Sequence, residues 1–197
     1  MLIFIFIFIF SFCFSASYKI DVNSSNIQWI GRKVTGAHDG NIQILHGNVR
    51  SYKDTDLSDV IRGNFVIDMT TITNTDIKNK KYSDYLVEHL NDEDFFDVAH
   101  FSRATLKILD NSPLESNDNN YNNLFKAEIT IKGITKLIEF PVEVKFIDDK
   151  AIASGTIIID RTLFGIKYKS KSYFDMGDRF IYDDFELNFL IHANKIK

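Results

Sequence analysis

The chain has 197 residues and a single cysteine, Cys13. That thiol lies inside the first apolar stretch, so a chain trimmed after it forms no disulfide and no thiolate metal site. Excess basic charge is missing as well: 23 Lys and Arg stand against 27 Asp and Glu, a formal net charge of −4. Such mild acidity gives no global electrostatic case for nucleic acid as a partner. Catalytic signatures are lacking too, with no Gly-x-Ser-x-Gly elbow, no Gly-rich phosphate loop before a helix and no His-Glu-x-x-His. The histidines His38, His46, His89, His100 and His192 show no ligand spacing. They read as surface or hydrogen-bonded residues, and neither a metal nor a cofactor is expected. Acidic neighbours such as Asp92 and Asp94, or Asp183 and Asp184, fit solvated turns as well as acid–base chemistry.

Charge is absent altogether from Met1 to Ser17, where Ile and Phe alternate from Ile3 to Phe10 before the small residues Ser15, Ala16 and Ser17. The run is too short to span a bilayer comfortably and reads as a signal-peptide core cut near Ala16 or Ser17. An uncleaved anchor or a buried edge strand is the alternative. Phe12 stands where a lipoprotein cleavage box wants a small residue before its cysteine. The expected organisation is a signal peptide over residues 1–17 and one domain over residues 18–197, exported to a periplasm or secreted.

What the remainder has is a period of two, the mark of half-buried strands. Ile138, Phe140, Val142, Val144 and Phe146 share one face, opposite Glu139, Glu143 and Lys145. Ala127, Ile129 and Ile131 oppose Glu128, Thr130 and Lys132, and Phe185, Leu187, Phe189 and Ile191 oppose Glu186, Asn188 and His192. Further strands are predicted at 27–30, 40–45, 63–69, 104–108 and 153–159, with Gly47 to Tyr52 a candidate ninth. About eight antiparallel strands, each with one wet face, suit an all-β up-and-down barrel or a two-sheet sandwich. One segment differs. Tyr82, Tyr85, Leu86, His89 and Leu90 recur at helical spacing, and Asn91 to Asp94 suit the start of a further short turn bearing Phe95 and Phe96. Asp110 to Asn123, rich in Asn, Asp and Ser, reads as an exposed hairpin loop.

Asp160 to Asp184 interleaves Phe164, Tyr168, Tyr173, Phe174, Phe180 and Tyr182 with Arg161, Lys167, Lys169, Lys171 and Arg179. Three readings stand: a single-stranded nucleic-acid surface, a strand pair with lysines outward, or basic groups at a barrel mouth that meet a polar head group. The acidity and the leader weigh against the first.

Four stretches in order resemble the YceI-like family. They are Trp29 to Lys33 running into Gly36 to Gly40; His89 and Leu90 followed by Asp94 to Asp97; Ile129 to Lys136; and Ile159 to Ile166 leading to Phe174 to Asp178. The resemblance covers nearly all of the chain after the leader. It implies an exported, lipocalin-like β-barrel with one or two short helices that binds a polyisoprenoid or a similar lipid. Phe95 and Phe96 suit a plug across one barrel end, while Gly31, Gly36, Gly40 and Gly133 suit turns or positive backbone dihedrals.

If the alternating apolar set faces inward, the wall comprises Trp29, Phe65, Ile67, Leu106, Ile129, Ile131, Phe140, Val142, Ile157, Ile159, Leu187 and Phe189. Arg161, Phe164 and Phe174, from the last family stretch, complete the ligand-binding candidates. A wall without charge suits a tail without hydrogen-bonding groups. Burying a methylene gains about 0.8 kcal/mol, so an isoprene unit offers roughly 4 kcal/mol gross. Eight units would exceed the practical ceiling near 20 kcal/mol, so cavity depth rather than hydrophobicity must select tail length. The expected partner is an isoprenoid or fatty-acyl-type lipid, with a transient membrane contact and a homodimer admitted and nucleic acid excluded. The expected role is binding, sequestration or transport. The competing roles are an enzyme acting on a lipid or small apolar substrate and a structural barrel with a solid core.

Overall fold

The computed structural model describes residues 15–52, 60–115, 120–173 and 180–196. The apolar stretch read as a leader, as far as Phe14, and Phe174 with the five residues after it lie outside these. The strands are β1 (Ala16–Ile20), β2 (Asn26–Lys33), β3 (Gly36–Ser51), β4 (Ile61–Asp68), β5 (Arg103–Pro113), β6 (Asn123–Ile131), β7 (Ile134–Ile147), β8 (Lys150–Asp160) and β9 (Ile181–Lys195). One helix, α1 (Lys80–Asn91), and 3-10 turns at Met69–Thr71 and Arg161–Phe164 interrupt them. The sheet is antiparallel, in the order β1-β3-β2-β9-β8-β7-β6-β5-β4, and closes on itself where β4 returns to β3. The molecule is a closed barrel, not a sandwich.

Among the described residues, nine strands make eight barrel positions because β1 and β2 lie end to end in one of them. β2 pairs with the first half of β3 and with β9, setting Ile27 opposite both Ile42 and Phe189. β1 pairs with the far ends of the same two strands, setting Tyr18 opposite Val49 and Lys195. Ser25 holds the break between them: its hydroxyl donates to Asp21 O at 2.7 Å and accepts from His192 N at 3.0 Å. β1 takes up Ala16 and Ser17, the last two residues of the stretch read as leader.

Two sequence expectations about single elements need correcting. Gly47 to Tyr52 is no separate strand, because β3 runs unbroken to Ser51. A bulge between Ile44 and His46 inserts Leu45 and switches the alternation, so one strand reads as two. Asp110 to Asn123 is likewise not all loop, since β5 continues to Pro113 and β6 begins at Asn123. There the inward positions are polar but satisfied. Asn111 Oδ1 accepts from Ile61 N, Asn111 Nδ2 donates to Asn123 Oδ1, and Asn123 Nδ2 donates to Asn122 Oδ1.

This amide chain and the buried Tyr18, whose ring lies 5.8 Å from that of Phe146, close the end of the barrel that is termed lower here. The upper end is built differently. α1 starts where the Asn79 side chain accepts from Lys81 N and Tyr82 N, and it buries Leu90. The turns after it bring Phe95 and Phe96 into edge contact at 5.2 Å. Pairing between β7 and β8 stops at Val142–Gly155, although β6 follows β7 up to Ile134 and β9 follows β8 up to Asp160. The Arg161–Phe164 turn packs against β7 and β9 beside this gap, with Phe164 and Ile166 almost wholly buried. No helix among the described residues is long and apolar enough to cross a membrane.

Candidate functional site

The upper half of the barrel encloses a cavity of about 180 Å3. All of β2 to β9 supply its wall, through alternate inward residues such as Ile27 and Trp29, Phe65 and Ile67, Leu106 and Ile108, and Phe185 and Leu187. Met69, Ile72, Leu90, Phe95 and Phe96 from the turns and the helix complete it. Among the described residues, polar side chains enter only as Thr105, Arg161, Tyr182, Asp184 and the indole of Trp29.

Of the residues singled out from the sequence, Trp29, Phe65, Ile67, Leu106, Ile129, Ile131, Phe140, Ile157, Leu187, Phe189 and Arg161 line this cavity. Val142, Ile159 and Phe164 do not. Val142 is fully buried in the inward file between Phe140 and Val144, where packing leaves it no free surface. Ile159 is buried near the end of β8 outside the lining, and Phe164 is buried in the turn beside the β7–β8 gap. Phe174 lies outside the described residues. Ile27, Ile42, Ile108, Phe125 and Phe185 line the cavity without having been singled out as ligand contacts. Phe125 shares the parity of Ala127 and Ile129, and Phe185 that of Leu187, so the same period of two would have found both.

Arg161 is 2% exposed yet is not a free cation waiting for a head group. Its Nε donates to Tyr182 O, its Nη1 to Ile166 O and its Nη2 to Ile181 O, at 3.0–3.2 Å. Burial pushes the guanidinium below its ordinary value, against the nearby charges of Asp183 and Asp160, but it remains a cation. Burial likewise acts to raise the Asp183 carboxyl, but hydrogen bonds from Ser170 and Ser172 and the Arg161 charge outweigh it and hold the group below the ordinary range. Asp160 Oδ1 accepts from Thr162 N and the Thr162 hydroxyl, capping the turn. The ion pair of Arg161 Nη2 with Asp183 Oδ1, at 3.5 Å, therefore ties the turn at residues 161–166 to the start of β9. It touches the cavity only from the rim, where the guanidinium lies 5.7 Å from the Phe95 ring centre.

Across the mouth, Trp29 Nε1 donates to Thr73 O at 2.9 Å, so the indole joins the wall with its polar atom satisfied. Gly40 is obligatory there, because a Cβ would meet Thr73 O at 1.8 Å. Gly36 and Gly133 adopt positive φ, whereas Gly31 and Gly40 lie within strands. His38 Nδ1 pairs with Asp76 Oδ2 at 2.8 Å. The Asp76 carboxyl, raised by burial, is lowered further by bonds from His38, Asp39 N and Asn74 and ends below its ordinary value.

Lys167, Lys169 and Lys171 lie over the rings of Tyr173, Tyr168 and Phe180 at 4.3, 5.0 and 5.2 Å. None of the three lysines lines the cavity. The fold also gathers His89, Asp92 and Asp94, whose ligand atoms lie within 4.8 Å of one another. His89 is wedged between Phe95 and Tyr168, while both carboxylates face solvent. Such a set can offer three corners to a divalent cation at the surface, a grouping invisible in the spacing of the histidines.

A family model described as a YceI-like domain matches residues 18–193. No curated protein sequence matches the chain. Among solved structures, the fold is similar to that of BcnA from Burkholderia cenocepacia, with a TM-score of 0.67 at 18% identity over 89% of this chain and 99% of that one. It is also similar to a polyisoprenoid binding domain from Saccharophagus degradans implicated in plant cell wall breakdown, with a TM-score of 0.59 at 13% identity over 91% and 98%. A YCEI protein from Campylobacter jejuni matches with a TM-score of 0.52 at 20% identity over 69% and 73%. At such identities the likeness is one of fold.

Proposed function

The chain belongs to the YceI-like family, and from that premise we propose that it binds an isoprenoid or similar amphiphilic lipid inside the barrel, as a carrier or sequestering protein rather than an enzyme. The observation that carries this reading is the composition of the cavity wall. Nearly every lining group is hydrocarbon, and Arg161, the buried cation at its rim, is already bonded to three carbonyls. Such a wall recognises a tail by desolvation, at about 0.8 kcal/mol per methylene, and among the described residues it presents no arrangement of nucleophile, base and oxyanion donors. The charge-free leader and the small residues at its end support export to a periplasm or beyond, where the protein would carry its lipid between membrane surfaces. At about 180 Å3 the cavity is smaller than the roughly 300–1,000 Å3 usual for ligand pockets, so it takes one short apolar segment.

Mass spectrometry of lipids extracted from the purified protein, beside an Ile131→Trp variant, tests this. Ile131 is a buried wall residue, and the larger ring would fill space that a tail needs. The expected result is a bound lipid in the parent protein, much less of it in the variant, and little difference in stability between the two after delipidation. A variant that loses stability with unchanged lipid content, or a parent with no lipid, would overturn the reading.

A further inference from the structure

Below the main cavity lies a second, smaller one of about 50 Å3. The two share five wall residues, Phe65, Ile108, Phe125, Ala153 and Ile191, so only side chains separate them. Two of the five, Phe65 and Phe125, are aromatic, and Phe125 packs against further rings that line the main cavity alone. Phe125 and Phe140 face each other across β6 and β7 with ring centres 6.0 Å apart, and Phe140 meets Phe189 edge-on at 6.1 Å. The backbone makes room for these rings: a Cβ on Gly155 would lie 2.9 Å from Phe189 Cζ, and Cβ atoms on Gly47 and Gly63 would lie 3.1 and 3.2 Å from the Phe65 ring. All three distances are closer than side chains ordinarily pack, so the glycines seat the phenylalanines and hold them across the barrel.

We infer that this phenylalanine layer is a floor that sets the length of the bound tail, with Phe125 as the residue that divides the two cavities. The inference rests on the lipid-binding reading and narrows its ligand class to short or terminally folded apolar chains. Edge-to-face packing among Phe125, Phe140 and Phe189 fixes each ring through its neighbours, so a tail cannot push one aside without disturbing the others. Phe125 borders both cavities, and its removal joins them into one longer space.

The test uses the delipidated protein and straight-chain 1-alkanols from hexanol to hexadecanol, with binding read from the fluorescence of Trp29, the only tryptophan and itself part of the wall. In the parent protein each added methylene is expected to tighten binding up to about fourfold until the chain reaches the floor, after which affinity flattens or falls. Phe125→Ala should move that break to longer chains, and Phe125→Leu should move it in the same direction by less. The leucine variant keeps the test decisive if the alanine variant does not fold. Affinity that rises without a break in the parent, or a break at the same chain length in a folded variant, would overturn the floor while leaving lipid binding intact. Failure of every alkanol to bind either protein would instead remove the lipid-binding reading, and the floor with it.

Discussion

The two halves of the barrel are made from the same alternating strands but are finished in opposite ways. In the lower half, Tyr18, Val142, Asn123 and Ser51 are almost or wholly excluded from solvent, and the buried amides bond to one another and to the backbone. In the upper half, apolar side chains surround empty space, β7 and β8 part company, and His89 Nε2 and Asn91 Oδ1 are buried without a hydrogen-bond partner. Apart from the small second cavity, the lower half concentrates packing and satisfied polar groups, which stabilise. The upper half gives up packing to keep a cavity, which is where a ligand would supply the missing contacts.

Removing a large side chain from the packed half should have the greatest effect. Tyr18→Ala deletes a ring that is 1% exposed and lies against Phe146, and it is expected to cost about 3–5 kcal/mol in urea unfolding. A cost near zero would show that the lower half is not the anchor. Adding bulk sharpens the contrast at a middling scale. Val142→Phe, at a fully buried position, should destabilise the protein by about 1–3 kcal/mol, whereas Ile131→Trp beside the cavity should be nearly neutral without lipid. Equal costs in both halves would mean that the cavity is not truly available space.

The smallest effect separates the halves by pH. Asp183 is depressed by its hydrogen bonds and by Arg161, so its contribution is complete above the ordinary aspartate value near 3.9 and is lost as pH falls through its lower folded value. The thermal-stability advantage of the parent over Asp183→Asn should therefore be constant from neutrality to about pH 4 and shrink below it. The Asn111, Asn122 and Asn123 network contains no titrating side chain, so the gap between the parent and Asn123→Ala should not shrink in that way. An Asp183→Asn gap that persists unchanged into strong acid would remove the ion pair from the account of the upper end.

The period of two was legible wherever strands keep one parity, and it led to the antiparallel strands and to most of the inward set, from Trp29 to Phe189, while it left barrel and sandwich both open and only the family resemblance pointed to the barrel. It failed where parity changes or where polar groups face inward. Leu45 enters β3 as a bulge and made one strand look like two. Asn111 and Asn123 looked like loop residues because only the folded barrel brings together the partners that satisfy them. Alternation also could not separate Ile131 from Val142. Both point inward, but one faces empty space and the other faces packed side chains, a difference set by the rings above and below them. Arg161 illustrates the same limit in polar form. A head-group contact was one reading of its sequence neighbours, while two of its three acceptors, the carbonyls of Ile181 and Tyr182, lie about twenty residues away in the chain.

The broken strand of β1 and β2 also bears on the order in which this molecule is made. The barrel position that these two segments fill is bounded on one side by β9, and the bonds between Ser25 and His192 join residues 167 positions apart. Loop closure over such a span is entropically costly and slow compared with forming the hairpins between consecutive strands. The meander from β4 to β8 can zip locally while the wall stays open, because the seam waits for the last strand. Phe185, Leu187 and Phe189 enter the cavity wall only with that strand. Until then there is no enclosed site, only an open sheet with an apolar face, so whatever the cavity holds can enter only late in the folding of the chain.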